Sequence, residues 1–204
     1  MNSRQSHWEN VYATRAADSV SWFQMSARPS LDMIQATGIG TDATIVDIGG
    51  GASVLVDELL DAGFGDVTVL DVAEPALAVS KSRLGPRAAG VHWIVADILS
   101  WSPERSYELW HDRAVFHFLT EENDRATYRS LVEKALRPRG WLILATFATD
   151  GPERCSGLPV HRWSPEALAS EFGAQFQLVE SAREEHRTPA GTVQAFTWCR
   201  FRRR

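Results

Sequence analysis

The sequence is poor in cysteine and contains no long hydrophobic run. Its 204 residues include only Cys155 and Cys199, so neither a disulfide framework nor a cysteine-rich metal site is expected. No stretch reaches the ~18 consecutive apolar residues that a membrane-spanning helix requires. No apolar run follows the first residues as it does in a secretory signal peptide. These absences favour a cytoplasmic protein with no membrane partner and no metal.

An excess of basic residues is also missing. The chain has 21 Lys and Arg against 26 Asp and Glu, which gives a net charge of −5. Such a balance provides no general attraction to nucleic acid or to an anionic membrane, so neither is expected as a partner. The exception is the run from Arg200 to Arg204, whose composition is typical of a solvated chain end.

The pattern that is present is an alternation of short β-branched runs with helix-like segments. The hydrophobic fraction of 44% suits one domain of ~100–200 residues, and no repeat or Gly/Ser-rich linker divides the chain. Alternation of this kind is typical of βαβ units around a parallel sheet. We therefore predict a single α/β structural domain in residues 41–204, with a helical cover in residues 1–40.

Seven strands are predicted from this alternation. Two segments near the C-terminus, 176–181 and 193–201, are joined by too few residues for a parallel crossover, so they should form an antiparallel hairpin. Helices should begin near Ser53, Glu74, Asn123 and Ser164. The five predicted parallel strands are 43–48, 67–70, 91–96, 107–110 and 141–147.

A glycine cluster stands where the first predicted strand passes into a helix. Gly49, Gly50 and Gly51 follow Asp47, and glycines at such a turn allow positive φ and the close approach of a ligand. Asp71 ends the second strand, where nucleotide-binding folds place a carboxylate on the ribose hydroxyls. The glycines alone are also compatible with a simple tight turn. Together with the acidic residue they favour a cofactor that contains a nucleoside.

Two such cofactors, NAD and S-adenosylmethionine (SAM), are compatible with this loop. The NAD fingerprint G-x-G-x-x-G requires a third glycine where Val54 stands, and no Tyr-x-x-x-Lys pair is present. SAM has no pyrophosphate, and its ammonium and sulfonium favour a carboxylate just before the glycines, which Asp47 supplies. An NAD-dependent oxidoreductase and a SAM-binding module without catalysis stay open as alternatives.

The segment Ile45–Gly51 resembles the first motif of the class I SAM-dependent methyltransferases, an acidic residue followed by Gly-x-Gly. The turn Leu136–Trp141 resembles the one before that family's fifth strand, and the late hairpin matches its sheet. The resemblance covers residue 41 to the C-terminus and departs at Ser53, where many members have a third glycine. It implies a Rossmann-like three-layer sandwich with a mostly parallel seven-stranded sheet. It also implies methyl transfer from SAM to a small molecule or a protein side chain, with S-adenosylhomocysteine (SAH) as product.

The resemblance further implies which residues hold the cofactor. Asp71 resembles the family's ribose-binding position, and Asp97 resembles the position that accepts from the adenine amino group. Trp8 and Tyr12 lie one helical turn apart, as in small members that include protein-lysine methyltransferases, although an amphipathic helix would show the same spacing. The expected cofactor-binding residues are Trp8, Tyr12, Asp47, Gly49, Gly50, Gly51, Ser53, Asp71, Val72, Asp97, Ile98 and His111.

Candidate acceptor residues follow the fourth and fifth strands, because substrates of such folds bind above the carboxyl ends of the strands. His111 and His117 are candidate general bases, since the pKa of histidine lies near working pH; a structural role is the alternative for each. Cys155, in the loop 148–163, is expected to be a bystander. The expected acceptor contacts are Trp22, Arg113, His117 and Phe147.

Overall fold

The computed structural model of the protein describes residues 3–204, which form helices α1 to α6 and strands β1 to β9. None of the helices in this described range is long and apolar enough to cross a membrane. The helices are α1 (Ser3–Thr14), α2 (Arg28–Gln35), α3 (Leu55–Asp61), α4 (Glu74–Leu84), α5 (Glu122–Ala135) and α6 (Pro165–Phe172). The strands are β1 (Thr44–Ile48), β2 (Asp66–Asp71), β3 (His92–Val95), β4 (Tyr107–Arg113), β5 (Leu136–Phe147), β6 (Arg154–Cys155), β7 (Leu158–Pro159), β8 (Phe176–Arg187) and β9 (Val193–Arg203).

Seven of these strands form one sheet in the order β3-β2-β1-β4-β5-β9-β8. The pairs from β3 to β5 are parallel, whereas β9 runs antiparallel to both β5 and β8. The predicted sheet, mostly parallel with a C-terminal antiparallel hairpin, is confirmed. Strands β6 and β7 form a separate small hairpin in the loop after β5.

The sheet lies between two layers of helices, as the hydrophobic pattern predicts. Every residue of β1 is buried, which is typical of a central parallel strand covered on both faces. One core cluster joins a face of the sheet to Ile34 of α2 and Leu59 of α3. The other joins the opposite face to Val132 of α5 and Leu168 of α6. The order in which strands are added to the sheet reverses between β1 and β4, so a crevice opens beyond the carboxyl ends of these two parallel strands.

Some predicted boundaries differ from the structure. Helix α3 begins at Leu55 with Val54 at its N-cap position, so the predicted cap Ser53 lies one residue too early. Its hydroxyl still accepts a hydrogen bond from the Leu55 amide at 3.1 Å. Strand β5 begins at Leu136, because Leu136 already pairs with β4. The register between the two strands is irregular between Leu136 and Trp141. Strand β8 continues to Arg187 through exposed polar residues. Its length is set by the backbone hydrogen bonds to β9 and not by a pattern of hydrophobic residues.

Candidate functional site

Two adjoining cavities lie at the carboxyl ends of β1, β2 and β4. The first cavity encloses about 790 Å³ and the second about 580 Å³, in both cases including space open to solvent. Both cavities are lined by Tyr12, Trp22, Ile48, Gly49 and Arg113, so they form the two halves of one crevice.

The first cavity brings together most of the predicted residues from the ends of β2 and β3. Sequence reasoning missed its other walls, which come from the start of α1, from the turn after β4 and from β6. The predicted residues that line it are Trp8, Tyr12, Trp22, Gly49, Asp71, Val72, Asp97, Ile98 and Arg113. The residues that were not predicted include Arg4, Ala114, Val115, Phe118, Leu119 and Cys155.

Asp71 is the most perturbed carboxyl group of the first cavity. Burial raises its pKa to about 7, and the nearby charge of Asp47 adds to the effect. The amide of Ala73 donates to Asp71 Oδ1 at 2.8 Å, which partly offsets the cost of burying the charge. A carboxyl group held in this way has already lost most of its hydrating water. A ligand hydroxyl that donates to it therefore does not need to displace water from it.

The second cavity is organised by a chain of hydrogen bonds behind the glycine loop. Asp47 Oδ1 lies 2.7 Å from His111 Nδ1, and His111 Nε2 lies 3.0 Å from the Ser30 hydroxyl. All three side chains are buried, and both ring nitrogens of His111 are occupied. This geometry does not support His111 as a general base; it orients the Asp47 carboxylate instead. The predicted residues that line this cavity are Tyr12, Trp22, Asp47, Gly49, Gly50, Ser53, His111 and Arg113.

The glycine loop is shaped by its neighbours as well as by the turn. Gly49 has φ +68°, and a Cβ at this position would lie 2.2 Å from Cγ2 of Val115. Gly51 lines neither cavity, but a Cβ there would lie 2.7 Å from Oδ2 of Asp71. Gly49 therefore keeps the turn after β4 close to the loop, and Gly51 leaves room for the acidic side chain.

His117 and Phe147, which were expected to contact an acceptor, line neither cavity. His117 is fully buried, with its ring 4.7 Å from that of Phe147 and 4.5 Å from that of Phe118 between centroids. Burial and the positive charge of Arg113 lower the pKa of His117 to about 3. A neutral imidazole inside the core cannot exchange protons with a ligand in the crevice. The expected role of His117 as a general base is therefore not supported by its position.

A buried carboxylate that sequence reasoning overlooked fixes the turn after β4. Asp112 Oδ1 accepts from the Val115 amide at 2.9 Å, and Oδ2 accepts from the Tyr128 hydroxyl at 2.6 Å. Burial raises the pKa of Asp112 to about 6. Between Asp112 and Val115, Ala114 adopts a φ of +71°, which is a strained value for alanine. Asp112 thus holds the segment that forms one wall of the first cavity.

We expect Tyr128→Phe to destabilise the protein by about 1–3 kcal/mol, because it removes a donor from the buried Asp112 carboxylate. The loss should be larger at pH 8 than at pH 5, since the hydroxyl stabilises the ionised form of Asp112 and the pKa of that group is about 6. Urea unfolding at both pH values measures it. Tyr107→Phe, at a buried tyrosine outside this cluster, is the control, and an equal loss at both pH values would contradict the assignment.

Aromatic side chains from α1 and the segment after it roof the first cavity. The ring of Trp8 lies 5.6 Å from Trp22 and 5.2 Å from Phe118 between centroids, in edge-to-face arrangements. The Trp22 indole donates to the Tyr12 hydroxyl at 3.1 Å. Helix α1 is anchored at its first turn, where Arg4 pairs with Asp97 and Asp124.

A family described as "Methyltransferase domain" matches residues 45–140, which include β1, the glycine loop, Asp71 and Asp97. The same residues form the crevice at the point where the strand order of the sheet reverses. These residues form a methyltransferase domain, and the protein is a SAM-dependent methyltransferase. SAM is its cofactor and SAH its product, so the oxidoreductase alternative that the glycine loop left open is set aside.

Known methyltransferases resemble this one along most of its length. Human EEF1A lysine methyltransferase 2 is 24% identical over 189 residues, covering 85% of this chain and 74% of the human protein. The structure of the N-methyltransferase NodS from Bradyrhizobium japonicum with SAH has a TM-score of 0.73 at 17% identity, covering 96% and 97% of the two chains. The 1,6-didemethyltoxoflavin-N1-methyltransferase of Burkholderia thailandensis, solved with SAH, has a TM-score of 0.72 at 21% identity, covering 98% and 87%.

The crevice of this methyltransferase also fits SAM on physical grounds. Two acidic residues border the first cavity at the ends of β2 and β3, where the hydroxyl and amino donors of a nucleoside can bind. The backbone of Gly49 is bare at the junction of the cavities, and Asp47 places a carboxylate in the second. In the described range, no group of three or more His, Cys, Asp or Glu side chains is placed to hold a metal ion.

Proposed function

We propose that this methyltransferase methylates an amine nitrogen, and that its acceptor is the ε-amino group of a protein lysine. The observation that supports the proposal is the aromatic roof of the first cavity, formed by Trp8, Tyr12, Trp22 and Phe118. Aromatic faces attract ammonium groups by cation–π interaction, worth ~0.5–2 kcal/mol for each contact. The same apolar surroundings lower the pKa of a bound amine, because burial disfavours its charged form.

The titratable groups of the first cavity support an amine more than a hydroxyl acceptor. Burial raises the pKa of Tyr12 well above its usual value and that of Cys155 to about 12, so both keep their protons at neutral pH. Asp71 and Asp97 are committed to the nucleoside in this proposal. Among the described residues, no histidine lines the cavity. A hydroxyl would need a base there, whereas an amine can bind as the ammonium and then lose its proton to solvent, because burial lowers its pKa.

Each expected cofactor residue has a proposed role within this scheme. Bound SAM supplies an electrophilic methyl group on its sulfonium, so the chain acts by positioning and by excluding water. Trp8 and Tyr12 cover the crevice, and Gly49 lets the ligand approach the backbone. In the proposal, Asp71 and Val72 bind the ribose, Asp97 and Ile98 bind the adenine, and Asp47, Gly50 and Ser53 face the methionine end, with His111 and Gly51 shaping the loop.

The choice of lysine among amines rests on the relatives. A human relative that aligns with 85% of this chain is named as a lysine methyltransferase. The solved neighbours named as N-methyltransferases support nitrogen as the acceptor atom. A location in the cytoplasm and the absence of a nucleic-acid partner stay predictions.

Incubation with methyl-labelled SAM tests the acceptor. Three matched panels are compared, namely lysine-containing proteins and peptides, small-molecule amines, and small-molecule phenols and carboxylic acids. The proposal expects label on lysine nitrogen, located by mass spectrometry of the digested product. Label confined to small amines would overturn lysine and keep the amine. Label confined to oxygen acceptors would overturn the whole proposal.

Removal of one aromatic face provides a second test. Phe118→Leu keeps the cavity apolar but removes a cation–π surface, so we expect the KM for the amine to rise about 2- to 30-fold with little change in SAH affinity. Steady-state kinetics and calorimetry measure the two quantities. Phe176→Leu, which removes a buried aromatic ring outside both cavities, is the control. Equal KM values for the two variants would show that the aromatic roof does not bind the acceptor.

A further inference from the structure

Arg113 is a half-buried arginine at the junction of the two cavities. It ends β4 two residues after His111, so it projects from the same face of the sheet. Its Nη1 donates to the backbone carbonyl of Trp22 at 3.2 Å. Its guanidinium carbon lies 4.6 Å from the ring centroid of Phe196. These contacts fix the plane of the guanidinium group.

Two donors of Arg113 have no acceptor. Nε and Nη2 are buried, and within residues 3–204 neither finds a hydrogen-bond partner. The carboxylate of Glu184 acts on Arg113 from a distance, but its oxygens accept from Gln24 Nε2 at 3.1 Å and from Trp198 Nε1 at 2.8 Å. Burial lowers the pKa of Arg113, and the charge of Glu184 offsets part of this effect. A guanidinium with two buried and unsatisfied donors is costly, so a ligand that accepts from both donors would be stabilised here.

The two unpartnered donors determine which kind of ligand fits Arg113. The Nε and Nη2 hydrogens lie on one edge of the planar guanidinium and point in parallel directions. This edge matches the two oxygens of a single carboxylate, which forms a bidentate pair with it. Nη1, on the other side, is already used by Trp22. The side chain therefore presents the Nε and Nη2 edge to a ligand, and that edge suits one planar anion.

The second cavity contains the complementary charge. Asp47 lines it beside Gly50, and its Oδ1 is oriented by His111. One carboxylate and one guanidinium in the same cavity suit a zwitterionic α-amino acid. The first cavity, which Asp71 and Asp97 border, suits the nucleoside instead. We infer that Arg113 binds the methionine carboxylate of SAM through Nε and Nη2, an assignment that does not depend on which acceptor is methylated.

Calorimetry with three ligands tests this assignment. The ligands are SAH, decarboxylated SAH, which keeps the ammonium, and 5′-methylthioadenosine, which lacks the whole amino-acid end. We expect the wild-type protein to bind SAH about 10- to 100-fold more tightly than decarboxylated SAH. In Arg113→Met this preference should disappear, while the affinity for 5′-methylthioadenosine should not change. Arg183→Met removes an exposed arginine that pairs with Asp150 and is the matched control.

Each outcome decides between the alternatives. Equal wild-type affinity for SAH and its decarboxylated form would overturn the assignment without any variant, so misfolding of Arg113→Met cannot hide the result. Equal weakening of all three ligands in Arg113→Met would overturn it in favour of a purely structural role. If Arg113→Met leaves SAH affinity intact but raises the KM of the acceptor, the carboxylate belongs to the acceptor and the assignment is wrong. Loss of the carboxylate preference alone supports it.

Discussion

Replacing Asp71 with asparagine is expected to weaken SAH binding about 10- to 100-fold and to stabilise the ligand-free protein at pH 8. The affinity falls because asparagine loses the charge that strengthens hydrogen bonds from the ribose hydroxyls, which are worth ~1.5–3 kcal/mol when one partner is charged. The stability rises because the ionised carboxyl of Asp71 is buried at a cost that asparagine does not have. Activity and stability therefore oppose each other at this residue.

The expected gain in stability depends on pH in a defined direction. The pKa of Asp71 is about 7 in the folded chain against 3.8 for a free side chain. Below pH 4 both states are protonated and Asp71 costs nothing. Between pH 4 and 7 the unfolded chain ionises first, so the stability of the folded state falls as pH rises, and above pH 7 the loss is constant. It amounts to ~2–4 kcal/mol by linkage.

Urea unfolding of wild type and Asp71→Asn at pH 5, 6.5 and 8 measures this effect. The advantage of the variant should grow across the series, whereas Asp18→Asn, at an exposed aspartate, should match wild type throughout. A variant that is less stable than wild type at pH 8 would show that the Asp71 charge is well accommodated. Unchanged SAH affinity in Asp71→Asn would remove Asp71 from the ribose.

Gly49→Ala is expected to lower SAH affinity by more than about tenfold and stability by about 1–3 kcal/mol. At φ +68° any side chain is strained, and the new Cβ would lie 2.2 Å from Cγ2 of Val115. The contact can be relieved only if the glycine loop or the turn after β4 moves. Both segments line the first cavity, so either movement changes the binding site.

A second substitution separates steric contact from backbone strain. Val115→Ala removes Cγ2, so the double variant Gly49→Ala/Val115→Ala should recover part of the SAH affinity while keeping the strained φ. Gly65→Ala, where a Cβ would meet nothing within 4 Å, is the control and should stay within ~0.5 kcal/mol of wild type. Full affinity in Gly49→Ala, measured by calorimetry, would contradict the close approach of ligand to this backbone.

The meeting of Asp47, Asp71 and Asp97 at one crevice was predictable because these residues carry local signals. Asp47, Asp71 and Asp97 each stand at or just beyond the end of a recognisable strand, next to glycines or a helix start. In a parallel sheet these ends must meet at one edge, so position in sequence nearly determines position in space. The confirmed architecture, a mostly parallel seven-stranded sheet that ends in the hairpin formed by β8 and β9, follows from the same alternation of elements.

The turn after β4 was less predictable because its arrangement depends on side-chain direction and on distant contacts. His117 stands close to the end of β4, but the hydrogen bonds that Asp112 makes to the amides after β4 turn the segment so that Phe118 faces the cavity and His117 the core. The partner that anchors Asp112, Tyr128, lies in α5. No spacing in the sequence relates those residues, so only the folded chain reveals the arrangement.

The aromatic roof comes from different parts of the chain than the acidic residues and the glycines. Helix α1, the segment after it and the turn after β4 provide its rings, whereas the carboxyl ends of β1, β2 and β3 lead into the acidic residues and the glycines. Substitutions at the roof positions of α1 can therefore accumulate while Arg4, which pairs with Asp97, keeps the helix on the acidic edge of the sheet. A fold divided in this way can diversify its acceptors over evolution while its chemistry stays constant, and the same division makes α1 the natural segment to exchange when redesigning substrate choice.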